Sequence, residues 1–130
     1  MKILVGYKGT NVGKDLLDIA VKHAKAFDGD VQIVTSMIGG DQAKGETIAT
    51  AESNLESAKA YCEDQGIKVE THLLIRGMEP GEDILQFAKE IKAEEIIIGV
   101  KSRSKVGKLL FGSAAQFVIL NAEIPVVSVK

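Results

Sequence analysis

The residues best suited to chemistry lie between Gly99 and Ser113, in the stretch GVKSRSKVGKLLFGS. Four cations, Lys101, Arg103, Lys105 and Lys108, sit there, framed by Gly99, Gly107 and Gly112. The apolar run Ile96-Ile97-Ile98 precedes them, and a helical pattern follows from residue 112. A helix start presents unpaired backbone N–H groups to an anion, and a neighbouring glycine lets that anion come close. Ser113 adds a hydroxyl donor. Together these features suit phosphate. Two plainer readings compete with it: Gly112 only caps a helix, and the cations only form a solvated surface loop. The formal net charge of the chain is −2, so the molecule as a whole is no electrostatic nucleic-acid binder and any anion site must be local.

Other reactive side chains form no recognisable constellation. His23 and His72 lack metal-ligand spacing and read as structural residues. Cys62 has no CxxC partner and reads as a quiet helix cysteine. Glu79, Glu82 and Asp83 read as carboxylates placed near the positive end of a helix. Glu90, Glu94 and Glu95 read as solvated surface. No Ser-His-Asp, GxGxxG, P-loop or HExxH pattern occurs, and no basic-aromatic strand suggests RNA binding.

The elements that must position the glycine-rich stretch alternate between short apolar runs and helical patterns. Strands are expected at 2–6, 31–36, 69–75, 95–99 and 125–129. Between them, helices are expected at 13–27, 46–65, 80–91 and 112–121. In the first helix Leu16, Leu17, Ala20, Val21, Ala24 and Phe27 share one face, and Thr10 or Asn11 caps its start. The second carries Ala49, Ala51, Ala58 and Ala60 and ends at Gly66. Pro80 opens the third, at a position where proline is tolerated, and Ile84, Leu85, Ala88 and Ile91 follow. This order predicts an α/β domain over 1–130, a doubly wound parallel sheet with helices on both faces. In such sheets ligands bind beyond the carboxyl ends of strands, where the strand order reverses. The loop after the first strand, from Tyr7 to Asn11, and the loop after the fourth would then share one crevice.

A chain of 130 residues can support one core without disulfides or a structural metal. Its single cysteine excludes an internal disulfide and fits a reducing compartment. Met1-Lys2 leads directly into ILVGY, and no apolar run nears the roughly 20 residues that cross a bilayer. A cytoplasmic location is expected, with no metal site and neither membrane nor nucleic acid as partner.

At the glycine-rich stretch the chain resembles the universal stress protein (UspA-like) family. Nucleotide-binding members carry G-x2-G-x9-G-S/T after the fourth strand. Gly99, Val100-Lys101, Ser102, the nine residues from Arg103 to Phe111, and Gly112-Ser113 reproduce that spacing, with serine in place of the second glycine. KILVGYKGT is similar to the family's first strand and loop, RGMEPGEDIL to its Gly-x-x-Pro turn, and AEIPVVSVK to its final strand. The resemblance implies a five-stranded, Rossmann-like parallel sheet in the order 3-2-1-4-5. It also implies ATP or another adenine nucleotide, with or without magnesium. By position, the nucleotide would meet Gly6, Tyr7, Lys8, Ser36, Gly99, Lys101, Ser102, Arg103, Gly112 and Ser113. Two residues depart from the pattern. Lys8 stands where binders usually have Asp, and lysine has no hydrogen-bond acceptor. Ser102 brings a Cβ to a position where glycine allows close approach or a positive φ.

The expected function is a stress-related regulatory module that binds an adenine nucleotide. The alternative is an interaction module of the same fold that has lost the nucleotide, for which Lys8 and Ser102 speak. Slow ATP hydrolysis is the most that enzymology would add, since neither crevice loop contains a carboxylate. Self-association is expected through the edge strand at Val126, Val127, Ser128 and Val129, alongside unidentified protein partners.

Overall fold

The computed structural model describes residues 1–8, 13–40, 45–103 and 109–130. The chain runs β1 (Lys2–Gly6), α1 (Gly13–Phe27), β2 (Asp30–Met37), α2 (Gly45–Asp64), β3 (Val69–Ile75) and α3 (Pro80–Ile91). Then come β4 (Glu95–Gly99), β5 (Lys101–Arg103), β6 (Leu109–Phe111), α4 (Ser113–Asn121) and β7 (Val126–Val129). The main sheet has five parallel strands in the order β3-β2-β1-β4-β7, the predicted order with β7 as its fifth strand.

Both faces of the sheet are covered, which is why its central strands are apolar without alternation. Ile3 and Val5 of β1, Val31 and Ile33 of β2 and Ile97 of β4 pack against α1 and α2. Leu4, Val34, Ile96 and Ile98 pack on the opposite side with α3 and α4. Burying one such aliphatic side chain contributes about 1.5–3 kcal/mol. Ile3, Leu4, Val5, Ile96 and Ile97 are all fully inaccessible, so β1 and β4 form the rigid floor of the molecule.

Helix α1 buries Leu16, Leu17, Ala20, Val21 and Ala24 as expected. Phe27, assigned to the same face, is instead 54% exposed. It ends the helix, with its ring T-shaped to that of His23 at a centroid separation of 5.7 Å. Helix α2 buries Ala51, Leu55, Ala58 and Cys62, while the expected Ala49 and Ala60 are exposed. A run of alanines marks no single face, and the larger Leu55 and Cys62 set which side turns inward. Gly66 follows α2 at φ +81°, a left-handed conformation that suits glycine after a helix. Pro80 occupies the first turn of α3, with Glu79 as N-cap residue.

One element was not anticipated. The stretch after β4, read as a loop, contains the antiparallel pair β5–β6, with Lys101 opposite Phe111, Ser102 opposite Leu110 and Arg103 opposite Leu109. Three-residue strands flanked by glycine and interrupted by charge carry almost no periodic signal. Gly107, Lys105 and Lys108 lie outside the described residues, as do the predicted caps Thr10 and Asn11.

Candidate functional site

The strand order reverses between β1 and β4: β2 follows β1 on one side, and β7 flanks β4 on the other. Gly6 pairs with Ile98, so Tyr7 and Gly99 stand at the same level where the two strands end. The Tyr7 N–H donates to the carbonyl of Val34 at 2.9 Å, and the Thr35 hydroxyl donates to the carbonyl of Tyr7 at 2.8 Å. These two bonds tie the chain leaving β1 to the end of β2. Thr35 was not singled out from the sequence, since one threonine in a strand gives no signal of a long-range bond.

The Tyr7 ring turns toward α1. A Cβ at Gly13 would lie 2.6 Å from its Cε1, so the helix start accepts the ring only because residue 13 is glycine. Burial pushes the Tyr7 hydroxyl above its usual pKa, with a smaller contribution from Cys62. Lys8, the next residue, is exposed.

Across the crevice, Val100 donates its N–H to Val129 at 3.0 Å, and the Gly112 N–H donates to the carbonyl of Val100 at 3.2 Å. Gly112 is the N-cap residue of α4, at φ −64° and ψ 143°, and no side chain caps the helix. Ser113 is exposed beside it. Among the described residues, a Cβ built on Gly112 would meet nothing within 4 Å. Neither the backbone angle nor the packing of the described residues therefore demands glycine here. The missing side chain adds no bulk beside the first amides of α4, whose N–H groups have no intrahelical partner. Ser102 sits in the strand pairing of β5 with β6, an extended conformation that serine adopts freely, so its backbone requires no positive φ.

The structure thus gathers Gly6, Tyr7, Lys8, Gly99, Gly112 and Ser113 around the carboxyl ends of β1 and β4. Lys101, Ser102 and Arg103 follow on the backbone of β5. Ser36 is engaged elsewhere: its hydroxyl donates to Asp83 Oδ2 at 2.6 Å, on the α3 side of the sheet.

That bond belongs to a cluster the sequence reading did not foresee. Asp83 lies in the first turn of α3, as expected of a helix-start carboxylate, and is wholly buried there. It accepts from Arg76 Nε at 2.7 Å and pairs with Nη2 at 2.6 Å, while Arg76 also binds Glu90. A charge can be buried when a guanidinium fork and a hydroxyl occupy its lone pairs. The salt link to Arg76 holds the Glu90 carboxyl below its usual pKa. Glu95, expected on the surface, is buried and pairs with His23 Nδ1 at 2.7 Å. It begins β4 beneath α1, where an unpaired carboxylate would be costly. Glu94 is exposed as expected.

His72 bonds Gln32 at 2.7 Å and stacks at a tilt on Phe87, and burial lowers its pKa. Cys62 is fully buried, and burial first, then Asp18, pushes its thiol up to about 11. Among the described residues no group of three or more His, Cys, Asp or Glu could hold a metal ion. Among those residues, too, no helix is long and apolar enough to cross a membrane.

Comparison with known proteins agrees with this geometry. The sequence profile of the Universal stress protein family matches residues 1–130. A universal stress protein of Methanocaldococcus jannaschii is 31% identical over 140 residues, covering 99% of this chain and 81% of that protein. The solved universal stress protein of Archaeoglobus fulgidus superposes with a TM-score of 0.89 at 38% identity, covering 99% of this chain and 97% of that one. A second Archaeoglobus fulgidus structure, of the universal stress protein in complex with dAMP, gives 0.83 at 33% identity, with 99% and 96% covered. The chain belongs to the universal stress protein family.

Proposed function

We propose that the chain is a regulatory module that binds an adenine nucleotide in the crevice between the ends of β1 and β4. The observation that carries this reading is Gly112, a glycine that the packing of the described residues does not require, at the start of α4, which no side chain caps. A phosphate there would meet the free amides of the helix and the Ser113 hydroxyl. The cations of 101–108 would add charge, and Lys8 would serve as a point charge. The nucleoside would extend toward Gly6, Tyr7 and the end of β2, where Ser36 helps hold α3 against the strand. The complex of the 33% identical relative with dAMP supports an adenine nucleotide as ligand. ATP is the favoured nucleotide on motif spacing, with or without magnesium.

The module acts as a homodimer through β7 in this reading. Strand β7 pairs with β4 on one side, and the sheet order leaves its other edge outermost. Helix α4 beside it exposes Leu120 at 80%, with Phe117 and Ile119 partly exposed. A second copy pairing at Val126, Val127, Ser128 and Val129 would cover both the edge and this apolar surface.

Titration calorimetry and thermal shift with ATP, ADP and AMP test the nucleotide. Ligand at a hundredfold excess over its Kd adds about 2.7 kcal/mol of stability. No heat and no shift at millimolar nucleotide would instead favour the interaction module, which the exposed, donor-only Lys8 supports.

A further inference from the structure

We propose that the groove between α3 and α4 is a contact for a second copy of this chain, in which Leu120 of each copy seats in a cavity of the other. The contact is separate from strand pairing along β7 and needs no nucleotide.

Leu120 is 80% exposed, the most of any large apolar side chain among the described residues. Its direction follows from the turn of α4, about 100° per residue. Val118 is wholly buried and points to the sheet. Phe117 lies on the α3 side, where a Cβ on Gly81 would stand 2.9 Å from the Phe117 Cβ. Ile119 therefore turns to the opposite side, and Leu120 points away from the sheet. A copy paired along β7 approaches α4 from the Ile119 side and flanks Leu120, whose outward end faces whatever lies over the helix.

Between α3 and α4, beside Leu120, a cavity of about 130 Å³ opens to the surface. Ala88, Ala93 and Ile96 form its buried floor, and the half-buried Leu85 and Ile124 its walls. An apolar cavity of about 150 Å³ takes a benzene ring, so this one suits a single branched aliphatic side chain. Asn121, the residue after Leu120, borders it. Knob and cavity are thus neighbours on one surface, and a twofold axis passing between them places each leucine over the other copy's cavity. The charges are self-complementary as well. The rim carries Lys89 and Lys92 on the α3 side and Glu123 on the α4 side. Within one chain Lys89 and Glu123 stand 3.9 Å apart with side chains 66% and 79% exposed, a loose pair that commits neither. The same twofold sets the acid of one copy against the lysines of the other.

The test is sedimentation velocity on the full chain up to about 1 mM, since a small contact is a weak one. The wild type should gain an association step beyond the β7 dimer at the concentrated end. Leu120→Ser, at a side chain exposed in the monomer, should keep the circular dichroism spectrum and weaken that step at least about tenfold, because two leucines leave the contact at once. Glu123→Lys should weaken it roughly threefold, and Lys89→Glu/Glu123→Lys should recover it. A wild type that associates no further than a dimer sensitive to Val127→Pro overturns the proposal. So does a step that Leu120→Ser leaves unchanged, or one that the double charge swap fails to recover, because the leucine would then not sit among the partner's rim charges. A Leu120-dependent step without any dimer sensitive to Val127→Pro upholds this contact and ends the β7 reading instead.

Discussion

Replacing Gly112 by alanine separates a glycine kept for the fold from one kept for a ligand. Alanine is compatible with φ −64° and ψ 143°, and its methyl group would meet no atom of the described residues within 4 Å. Reduced freedom of the unfolded chain favours alanine by about 0.4–1 kcal/mol. Alanine's poorer standing as an N-cap residue opposes that by a similar amount. The two nearly cancel, so stability in urea should change by no more than about 0.5 kcal/mol. Binding should change far more. The new Cβ stands in the approach to the α4 amides and would cost a bound phosphate one or two charge-assisted hydrogen bonds. Each is worth about 1.5–3 kcal/mol, so ATP affinity should fall at least tenfold. Urea denaturation and calorimetry on the same preparations give both numbers. Unchanged ATP affinity would refute the argument, because the open face of Gly112 would not be where the ligand enters. A loss of stability well above 1 kcal/mol would refute it differently, by showing a packing role that the geometry denies.

Asp83→Asn should destabilise the protein by about 2–3 kcal/mol in urea. It strands Arg76 beside a neutral amide, and the usual 3–5 kcal/mol for a broken buried pair is reduced because the arginine side chain is 31% exposed. A change under 0.5 kcal/mol would show the cluster to be energetically idle. Val127→Pro removes a backbone donor from the edge strand. Light scattering across a dilution series should show a dimer for the wild type and a monomer for a variant that keeps its circular dichroism spectrum. A folded variant that stays dimeric would move the interface elsewhere. His72 has its pKa lowered by burial, so the unfolded chain takes up its proton first as the pH falls. Its contribution is intact above the ordinary value of 6.5 and is lost as the pH drops through the lowered one. Unfolding free energies from pH 8 to 5 should therefore decline more steeply for the wild type than for His72→Gln, and parallel curves would remove His72 as a cause.

The architecture was legible because its main signal is local. Ile3-Leu4-Val5 and Ile96-Ile97-Ile98 are continuous apolar runs, and only a strand covered on both faces needs them. The α1 stripe from Leu16 to Ala24 repeats at helical spacing, and Pro80 and Gly66 mark helix ends by their own backbone limits. The spacing of Gly99, Gly112 and Ser113 likewise named a candidate phosphate site before any fold was seen. What the sequence could not show were contacts whose partners lie far apart along the chain. Ser36 and Asp83 are separated by 47 positions, His23 and Glu95 by 72, and Thr35 and Tyr7 by 28. A carboxylate carries no mark of which partner will reach it, so Glu95 read as surface and Asp83 only as a helix-start charge until the fold brought His23 and Arg76 to them. Gly112 shows the same division. Its type and spacing are sequence properties, whereas the empty space around it is set by how α4 docks beside the end of β4, which only the packed structure decides.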